Sequence, residues 1–215
     1  MIKFLNNMKI SSTIQSILLI TFIVIGNISF AQKNTPLELG ATIPLSEILM
    51  ISVNDEKMSL NNNFNENGLL VVFSCNTCPF VVMWEDRYRQ LEKMCEKNNI
   101  GMVYINSNEA KRRGDDSLEA MKDYAKKMGY TFPYLVDQKS ALANAFGAKT
   151  TPHTYLFNKN KSLVYKGAID DNFRDVSQVN ETYLLNAIEH MVSGKDIKIK
   201  ETKAKGCSIK RQQKN

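Results

Sequence analysis

Uninterrupted apolar runs are the clearest pattern along this chain of 215 residues. Runs rich in β-branched and aromatic residues are typical of strands buried on both faces of a sheet, and they occur at 68–74, 100–106 and 132–137. Two further β-rich segments, 151–158 and 162–170, are joined by a short polar turn and predict an antiparallel hairpin. The pattern therefore predicts five strands.

Between these strands, apolar residues recur at spacings of three and four, which is typical of amphipathic helices. One helix has Pro79 in its first turn, and others are predicted at 117–129, 140–147 and 180–194. The apolar face of the first helix consists of Phe80, Trp84, Tyr88, Leu91 and Cys95. This order of elements predicts an α/β fold with a central mixed β-sheet flanked by helices on both faces.

The N-terminal 31 residues have the pattern of a secretory signal peptide. Lys3 and Lys9 precede an apolar stretch at 17–26, and small residues lead to a predicted cleavage site after Ala31. An uncleaved anchor is the alternative, although the apolar stretch is shorter than the roughly 20 residues that a spanning helix needs. We therefore expect a periplasmic or secreted protein with a cleaved signal peptide at 1–31, in a compartment where disulfides persist.

The formal net charge of +6 is concentrated at the C-terminal end of the chain. Residues 195–215 contain eight basic and two acidic residues, whereas residues 32–194 have a net charge of −2. No nucleic-acid-binding motif accompanies the basic residues, so no nucleic-acid partner is expected. These charges predict a domain at 32–194 followed by a solvated basic tail at 195–215.

Two cysteines, Cys75 and Cys78, lie where the strand at 68–74 is followed by a helix. This edge of an open α/β sheet is where ligands bind. A helix N-terminus favours negative charge, so we expect the pKa of Cys75 to lie below the ordinary value of about 8.5. Cys75 would then attack a disulfide, and Cys78 would resolve the mixed disulfide.

The same cysteine pair allows two other interpretations. A structural disulfide would close a very small loop and would therefore stabilise the fold little. A metal site would need further ligands, and the two histidines, His153 and His190, are not spaced as zinc ligands. The pair alone therefore favours a redox centre, and no metal site is predicted.

The motifs "FSCNTCPFV" (73–81) and "TTPHTYLFN" (150–158) resemble those of the thioredoxin-like superfamily. Together with "YKGAIDDN" and "ETKAKGCSIK", they are similar to exported bacterial redoxins of the TlpA-like and AhpC/TSA-like branch. The resemblance implies a thioredoxin fold with a cis-proline at Pro152. It also implies that Thr151 and Pro152 form a substrate-binding edge beside the cysteines. An extra strand–helix unit at about 100–129 would precede the cis-proline loop.

Four further residues are candidates for a role in this chemistry. His153 follows Pro152 and could modulate the cysteines or bind a metal, or it could be an ordinary strand residue. Glu109 could accept a proton from Cys78, or it could belong to a solvated charged loop. Cys95 and Cys207 could form a structural disulfide. Alternatively, Cys95 is an inert buried thiol and Cys207 is a third redox cysteine that exchanges with Cys75.

These features predict a thiol–disulfide oxidoreductase that reduces or exchanges protein disulfides as a monomer. No bound cofactor is expected, because a membrane or periplasmic thiol partner would supply the electrons. One alternative is a Sco-like copper-binding metallochaperone, although cysteines in that family are separated by three residues. The other is a peroxiredoxin-like thiol peroxidase, although Gly68 and Val72 occupy the positions of that family's proline and hydroxyl residue.

Overall fold

The computed structural model of the protein describes residues 35–212. The predicted signal peptide at 1–31 lies outside these residues. Within the described part of the chain, no helix is both long enough and apolar enough to cross a membrane.

The described residues form nine strands and five α-helices. The strands are β1 (Met50–Ile51), β2 (Lys57–Met58), β3 (Gly68–Ser74), β4 (Gly101–Asn106), β5 (Tyr134–Val136), β6 (Thr150–Thr151), β7 (His153–Asn158), β8 (Leu163–Gly167) and β9 (Cys207–Ser208). The helices are α1 (Pro79–Met83), α2 (Glu85–Lys97), α3 (Leu118–Met128), α4 (Ala141–Phe146) and α5 (Tyr183–Val192). The five strands and the helices that the apolar pattern predicts are all present.

A five-stranded mixed sheet with the order β5-β4-β3-β7-β8 forms the centre of the domain. Strand β3 pairs in parallel with β4 and antiparallel with β7, so that Leu70 lies between Met102 and Leu156. Strands β7 and β8 form the predicted antiparallel hairpin. Two strand–helix units, β4–α3 and β5–α4, lie between β3 and the hairpin. The predicted mixed sheet is therefore confirmed.

The side chains of β3 point alternately into two hydrophobic cores. Leu70 and Val72 pack with residues of α1, α2, α3 and α5 on one face of the sheet, here called the α2 face. Leu69, Val71 and Phe73 pack with residues of α4 on the other face, here called the α4 face. All five side chains are fully buried. Helices therefore cover both faces, which explains why β3 is a continuous apolar run.

The helix predicted to begin at Pro79 is divided into α1 and α2 at Trp84. The backbone N–H of Trp84 donates to the carbonyl of Val81 at 3.0 Å, three residues earlier, so a 3₁₀-type turn interrupts the α-helical hydrogen bonds. The indole Nε1 of Trp84 donates to Asp170 Oδ1 at 3.2 Å. This tertiary contact lies at the break and cannot be predicted from helical spacing.

Residues 195–212 lie on the domain and do not extend from it as a solvated tail. Strand β9 pairs with β6. The side chains of Ile197 and Ile209 are buried, and the N–H of Ile209 donates to the carbonyl of Lys149 at 3.0 Å. The two isoleucines are isolated among basic residues. The prediction of a solvated tail was based on the basic composition of the segment. It is wrong because these two apolar side chains attach the segment to the domain.

Candidate active site

The two cysteines of the Cys-x-x-Cys motif lie at the end of the central strand. Cys75 follows β3 directly, and Cys78 immediately precedes Pro79, the first residue of α1. Both side chains are almost inaccessible to solvent, since Cys75 is 2% exposed and Cys78 is 3% exposed. The strand-to-helix junction is thus where the sequence predicts it, but the sulfurs are covered.

Both sulfurs contact Thr151, which lies in the loop that contains Pro152. The Thr151–Pro152 peptide bond is cis, and both residues are buried. Cys75 Sγ lies 3.2 Å from Thr151 Oγ1, and Cys78 Sγ donates to the carbonyl oxygen of Thr151 at 3.1 Å. The structure therefore brings together the four residues that the sequence proposes for the redox centre and its substrate edge.

A hydrogen bond between the two thiols has the largest effect on both of their pKa values. It lowers the pKa of Cys78, which other contacts and an opposing effect of burial bring to about 4, and it raises the pKa of Cys75 above its ordinary value. Burial and the charge of Asp116 raise the pKa of Cys75 further, whereas the Cys207 thiol and the backbone amide of Val81 lower that of Cys78. The expected lowering of the Cys75 pKa is therefore wrong, because the Cys75 thiol is hydrogen-bonded to Cys78 and is buried.

Asp116 is the carboxylate that is hydrogen-bonded to the Cys-x-x-Cys loop. Its side chain is 0% exposed. Its Oδ1 accepts from the backbone N–H of Asn76 at 3.0 Å and from Asn106 Nδ2 at 2.7 Å, and its Oδ2 accepts from Asn108 Nδ2 at 2.9 Å. Sequence reasoning missed Asp116 because it lies in a polar loop that resembles a solvated segment.

The side chain of Asn76, between the two cysteines, points into the protein. Its Oδ1 accepts from the hydroxyl of Tyr134 at 2.9 Å, and its Nδ2 donates to the carbonyl of Asp115 at 2.7 Å. Both polar ends of this amide are therefore satisfied. The first of the two intervening residues consequently fixes the shape of the Cys-x-x-Cys loop.

Glu109, the predicted proton acceptor, interacts with residues of the surrounding loops. One of its carboxylate oxygens lies 3.8 Å from Nε of Arg112 and accepts from the backbone N–H of Lys139 at 2.9 Å. Arg112 in turn donates to the carbonyls of Asn106 and Asp116. Glu109 thus supports the arginine that holds the Asp116 loop, and its observed contacts do not include the cysteines.

His153 lies on the α4 face, away from the cysteines, which join the core of the α2 face. It pairs with Phe73 across the sheet, and its Nδ1 lies 3.3 Å from the hydroxyl of Tyr155. Burial, with a smaller contribution from Lys166, lowers the pKa of His153 to about 4. Across residues 35–212, no group of three or more His, Cys, Asp or Glu side chains is arranged to hold a metal ion.

The remaining two cysteines lie in different places. All four cysteines fall within residues 35–212, and all four are free thiols. Cys95 on α2 is fully buried, and this burial raises its pKa to about 12. Cys207 on β9 lies opposite Thr151, whose carbonyl accepts from Cys78, and the Cys207 thiol is one of the groups that lower the pKa of Cys78. The suggested Cys95–Cys207 disulfide is therefore absent, and the neighbour of Cys207 is Cys78 and not Cys75.

Comparisons with known proteins identify relatives over most of the domain. The AhpC/TSA family matches residues 40–166. The thiol-disulfide oxidoreductase ResA of Geobacillus thermodenitrificans strain NG80-2 is 21% identical over 132 residues, which cover 61% of this chain and 70% of that protein. A crystal structure of an uncharacterized conserved protein from Geobacillus kaustophilus is 30% identical, with a TM-score of 0.76 over 83% of this chain and 94% of its own.

A more distant structure shows the fold alone. Peroxiredoxin Q from Xanthomonas campestris is 16% identical and has a TM-score of 0.54, covering 74% of this chain and 99% of its own. The family match at 40–166 includes the Cys-x-x-Cys loop and Pro152. It ends before β9, so Cys207 lies outside it.

Proposed function

Because the chain belongs to the AhpC/TSA family of thioredoxin-fold redox enzymes, we propose that it is an extracytoplasmic thiol–disulfide oxidoreductase whose redox centre is Cys75 and Cys78. The predictions of a thioredoxin-like fold and of a redox enzyme are confirmed at the level of the family. The observation that carries the proposal is that both sulfurs contact the same residue, Thr151, at 3.2 Å and 3.1 Å. Two sulfurs that contact the same residue, on cysteines separated by two positions, are placed to form a disulfide.

In the proposed reaction, a thiolate of the reduced pair attacks a protein disulfide. A mixed disulfide forms and one client thiolate leaves; the second cysteine then attacks the enzyme sulfur of the mixed disulfide and releases the other client thiol. From the sequence we expected Cys75 to attack the client disulfide and Cys78 to resolve the mixed disulfide. The lowered pKa of Cys78 supports the opposite order, because the thiolate is the nucleophile.

Thr151 and Pro152 form the proposed substrate edge beside the cysteines. This role is supported by the contacts of both sulfurs with Thr151. The backbone of Thr151 pairs with β9 of the same chain. A client that docks here as an extended strand would therefore have to displace β9. Alternatively, β9 would stay in place and the client would react with Cys207.

The proposed location and partners follow from the N-terminal sequence and from the chemistry of the pair. The signal-like pattern at 1–31 supports export to the periplasm or beyond the cell. In an oxidising compartment the pair needs a supply of electrons, for which a membrane or periplasmic thiol partner is the proposed source. The proposed clients are protein disulfides or thiols, and the proposed active form is the monomer.

Neither alternative function gains a supporting contact at the cysteine pair. A Sco-like copper site would need a histidine beside the cysteines, and His153 lies on the α4 face. A peroxiredoxin would place a hydroxyl side chain at the position of Val72. That side chain is a fully buried isopropyl group in the core of the α2 face.

Reduction of insulin disulfides tests the proposed function directly. The wild-type protein with a thiol reductant should accelerate insulin reduction, and Cys75→Ser and Cys78→Ser should lower the rate to that of the reductant alone. Cys95→Ser is the matched control, since a fully buried thiol with a raised pKa should contribute nothing. Wild-type activity in Cys75→Ser would contradict the proposal. Hydrogen peroxide consumption that depends on Cys75, without insulin reduction, would favour the peroxidase.

A further inference from the structure

The segment that carries Cys207 is built to lie against the cis-proline loop. Strand β9 runs antiparallel to β6, with Cys207 opposite Thr151 and Ser208 opposite Thr150. Gly206 precedes Cys207, and a Cβ atom added there would lie 2.2 Å from the carbonyl oxygen of Thr151. Only a glycine permits so close an approach, which brings the next residue beside the redox centre.

Residues after Cys207 hold the segment in this position. The carbonyl of Lys210 accepts from the N–H of Ala110 at 2.8 Å, and its N–H donates to Asn108 Oδ1 at 2.8 Å. The guanidinium of Arg211 donates to Asn144 Oδ1 at 2.7 Å and to the carbonyl of Ala148. Backbone groups, side-chain amides and a buried isoleucine thus attach the segment to the loop after β4, to helix α4 and to the segment that follows α4.

A buried polar network connects the segment to the Cys-x-x-Cys loop. The N–H of Asn76 donates to one oxygen of Asp116, and Asn108 donates to the other oxygen at 2.9 Å. The side-chain oxygen of Asn108 then accepts from the backbone N–H of Lys210. The loop between Cys75 and Cys78 and the segment around Cys207 are therefore positioned by the same carboxylate.

Cys207 is the most accessible sulfur of the three. It lies opposite Thr151, the residue that both sulfurs of the motif contact, and it packs against the core that contains both cysteines of the motif. Cys75 and Cys78 are 2% and 3% exposed, whereas Cys207 is partly exposed to solvent. A protein disulfide approaching this surface reaches the sulfur of Cys207 before either sulfur of the motif.

We infer that Cys207 is a third redox cysteine, which exchanges with client disulfides at the surface and passes the disulfide to Cys78. The inference rests on the proposed function of the Cys75–Cys78 pair. In it, Cys207 of the C-terminal segment, and not a cysteine of the pair, reacts first with the client. Cys207 lies opposite Thr151. A client that paired with Thr151 as an extended strand would place its own cysteine at the same position.

The relay consists of three exchanges, each of which forms one disulfide and breaks one. The sulfur of Cys207 attacks a client disulfide and forms a mixed disulfide, and the proton of Cys207 passes to the client sulfur that leaves as a thiol. The thiolate of Cys78 attacks the sulfur of Cys207, which releases the second client thiol and forms Cys78–Cys207. Cys75 then attacks the sulfur of Cys78 and its proton passes to the departing sulfur of Cys207, so that Cys75–Cys78 forms and Cys207 is released as the thiol. Two electrons pass from the motif to the client.

Removal of the last nucleophile should trap the middle of the relay. In Cys75→Ser treated with oxidised glutathione, we expect the Cys78–Cys207 disulfide to be the main product, detected by peptide mapping under non-reducing conditions. In the matched double variant Cys75→Ser/Cys207→Ser, glutathione should remain attached to Cys78. Persistent separate glutathione adducts on Cys78 and Cys207 in the single variant, or two free thiols, would overturn the relay.

Insulin reduction by Cys207→Ser separates the relay from the proposed function. We expect a rate at least about tenfold below wild type, while glutathione still drives formation of the Cys75–Cys78 disulfide in this variant. Ser208→Ala, on the same short strand, should keep the wild-type rate and controls for damage to β9. A wild-type rate in Cys207→Ser would overturn the relay and leave the proposed function standing. Failure of the wild-type protein to reduce insulin or to form Cys75–Cys78 would overturn both.

Discussion

Hydrogen bonds with opposing effects determine whether Cys78 is a thiol or a thiolate. The thiols of Cys75 and Cys207 donate to a thiolate and lower the pKa of Cys78. The carbonyl oxygen of Thr151, 3.1 Å away, can only accept and therefore favours the protonated thiol. The donors outweigh the carbonyl, since a hydrogen bond to a charged acceptor is stronger than one between neutral groups. Cys78 therefore carries the charge of the reduced site.

The pH dependence of alkylation tests this assignment. With its pKa lowered to about 4, Cys78 is a thiolate throughout the range from about pH 6 to about pH 8.5. Its rate of reaction with iodoacetamide, followed by peptide mapping, should therefore change little over this range. An ordinary thiol would react about 100-fold faster at the upper end, because its thiolate fraction rises by that factor.

Cys75→Ala provides the matched comparison, because it removes the main hydrogen bond that lowers the pKa of Cys78. The alkylation rate of Cys78 should then rise more steeply with pH. Cys95 should remain unmodified at every pH, since burial raises its pKa to about 12. An ordinary thiol profile for Cys78 in the wild-type protein would show that the charge lies elsewhere.

At the scale of residues, the sequence allows prediction of the site only where motifs mark it. Cys75, Cys78, Thr151 and Pro152 are in recognisable motifs, and they meet in the structure. Asp116 has no such mark, because its burial depends on donors from three separate positions along the chain. The sequence also could not predict which of Cys75 and Cys78 has the lower pKa, since this depends on which sulfur accepts the hydrogen bonds.

At the scale of elements, a buried ion pair connects α2 to the loop after β8. Nε of Arg87 lies 3.0 Å from Asp170 Oδ2, and both side chains are less than one-tenth exposed. Asp170 also accepts from Trp84 Nε1, and Arg87 donates to the carbonyl of Asn172 at 2.7 Å. This cluster holds the break between α1 and α2, and with it the helix that begins beside Cys78.

Asp170→Ala should therefore destabilise the domain strongly. Loss of one partner leaves a buried guanidinium without its countercharge, which typically costs about 3–5 kcal/mol of the free energy of unfolding. Urea denaturation should show a lower midpoint. Asp171→Ala is the matched control: this carboxylate accepts from the N–H of Asn180 at an exposed position, so the midpoint should change much less. Equal midpoints in the two variants would contradict a structural role for the pair.

The elements that the sequence failed to predict depend on contacts with distant parts of the chain. The strands of the main sheet and most helices have their own apolar periodicity, so local patterns predicted them. The break at Trp84 involves Asp170, which lies 86 residues further along the chain. Strand β9 contains two residues and forms only because it pairs with β6. Local patterns carry no information about such pairings.

At the scale of the whole molecule, the charge on Cys78 affects the balance between dithiol and disulfide. The pKa of Cys78 in the reduced protein is about 4, against an ordinary value near 8.5, so the thiolate stabilises the reduced form fully above about pH 8.5 and progressively less as the pH falls. None of this stabilisation remains below about pH 4. A stabilised dithiol makes the disulfide more oxidising, as in DsbA, so the potential should exceed that of thioredoxin, about −270 mV.

Equilibration of the wild-type protein with glutathione redox buffers shows whether Cys75 and Cys78 form a redox pair. Trapped thiols should be counted by mass spectrometry, and the disulfide identified by non-reducing peptide mapping. We predict one two-electron transition between the dithiol and the Cys75–Cys78 disulfide, at a potential between about −270 and −120 mV. The transition should disappear in both Cys75→Ser/Cys207→Ser and Cys78→Ser/Cys207→Ser. If Cys75 and Cys78 stay reduced at every buffer ratio, or if their disulfide never forms, the pair is not a redox centre and the account is wrong.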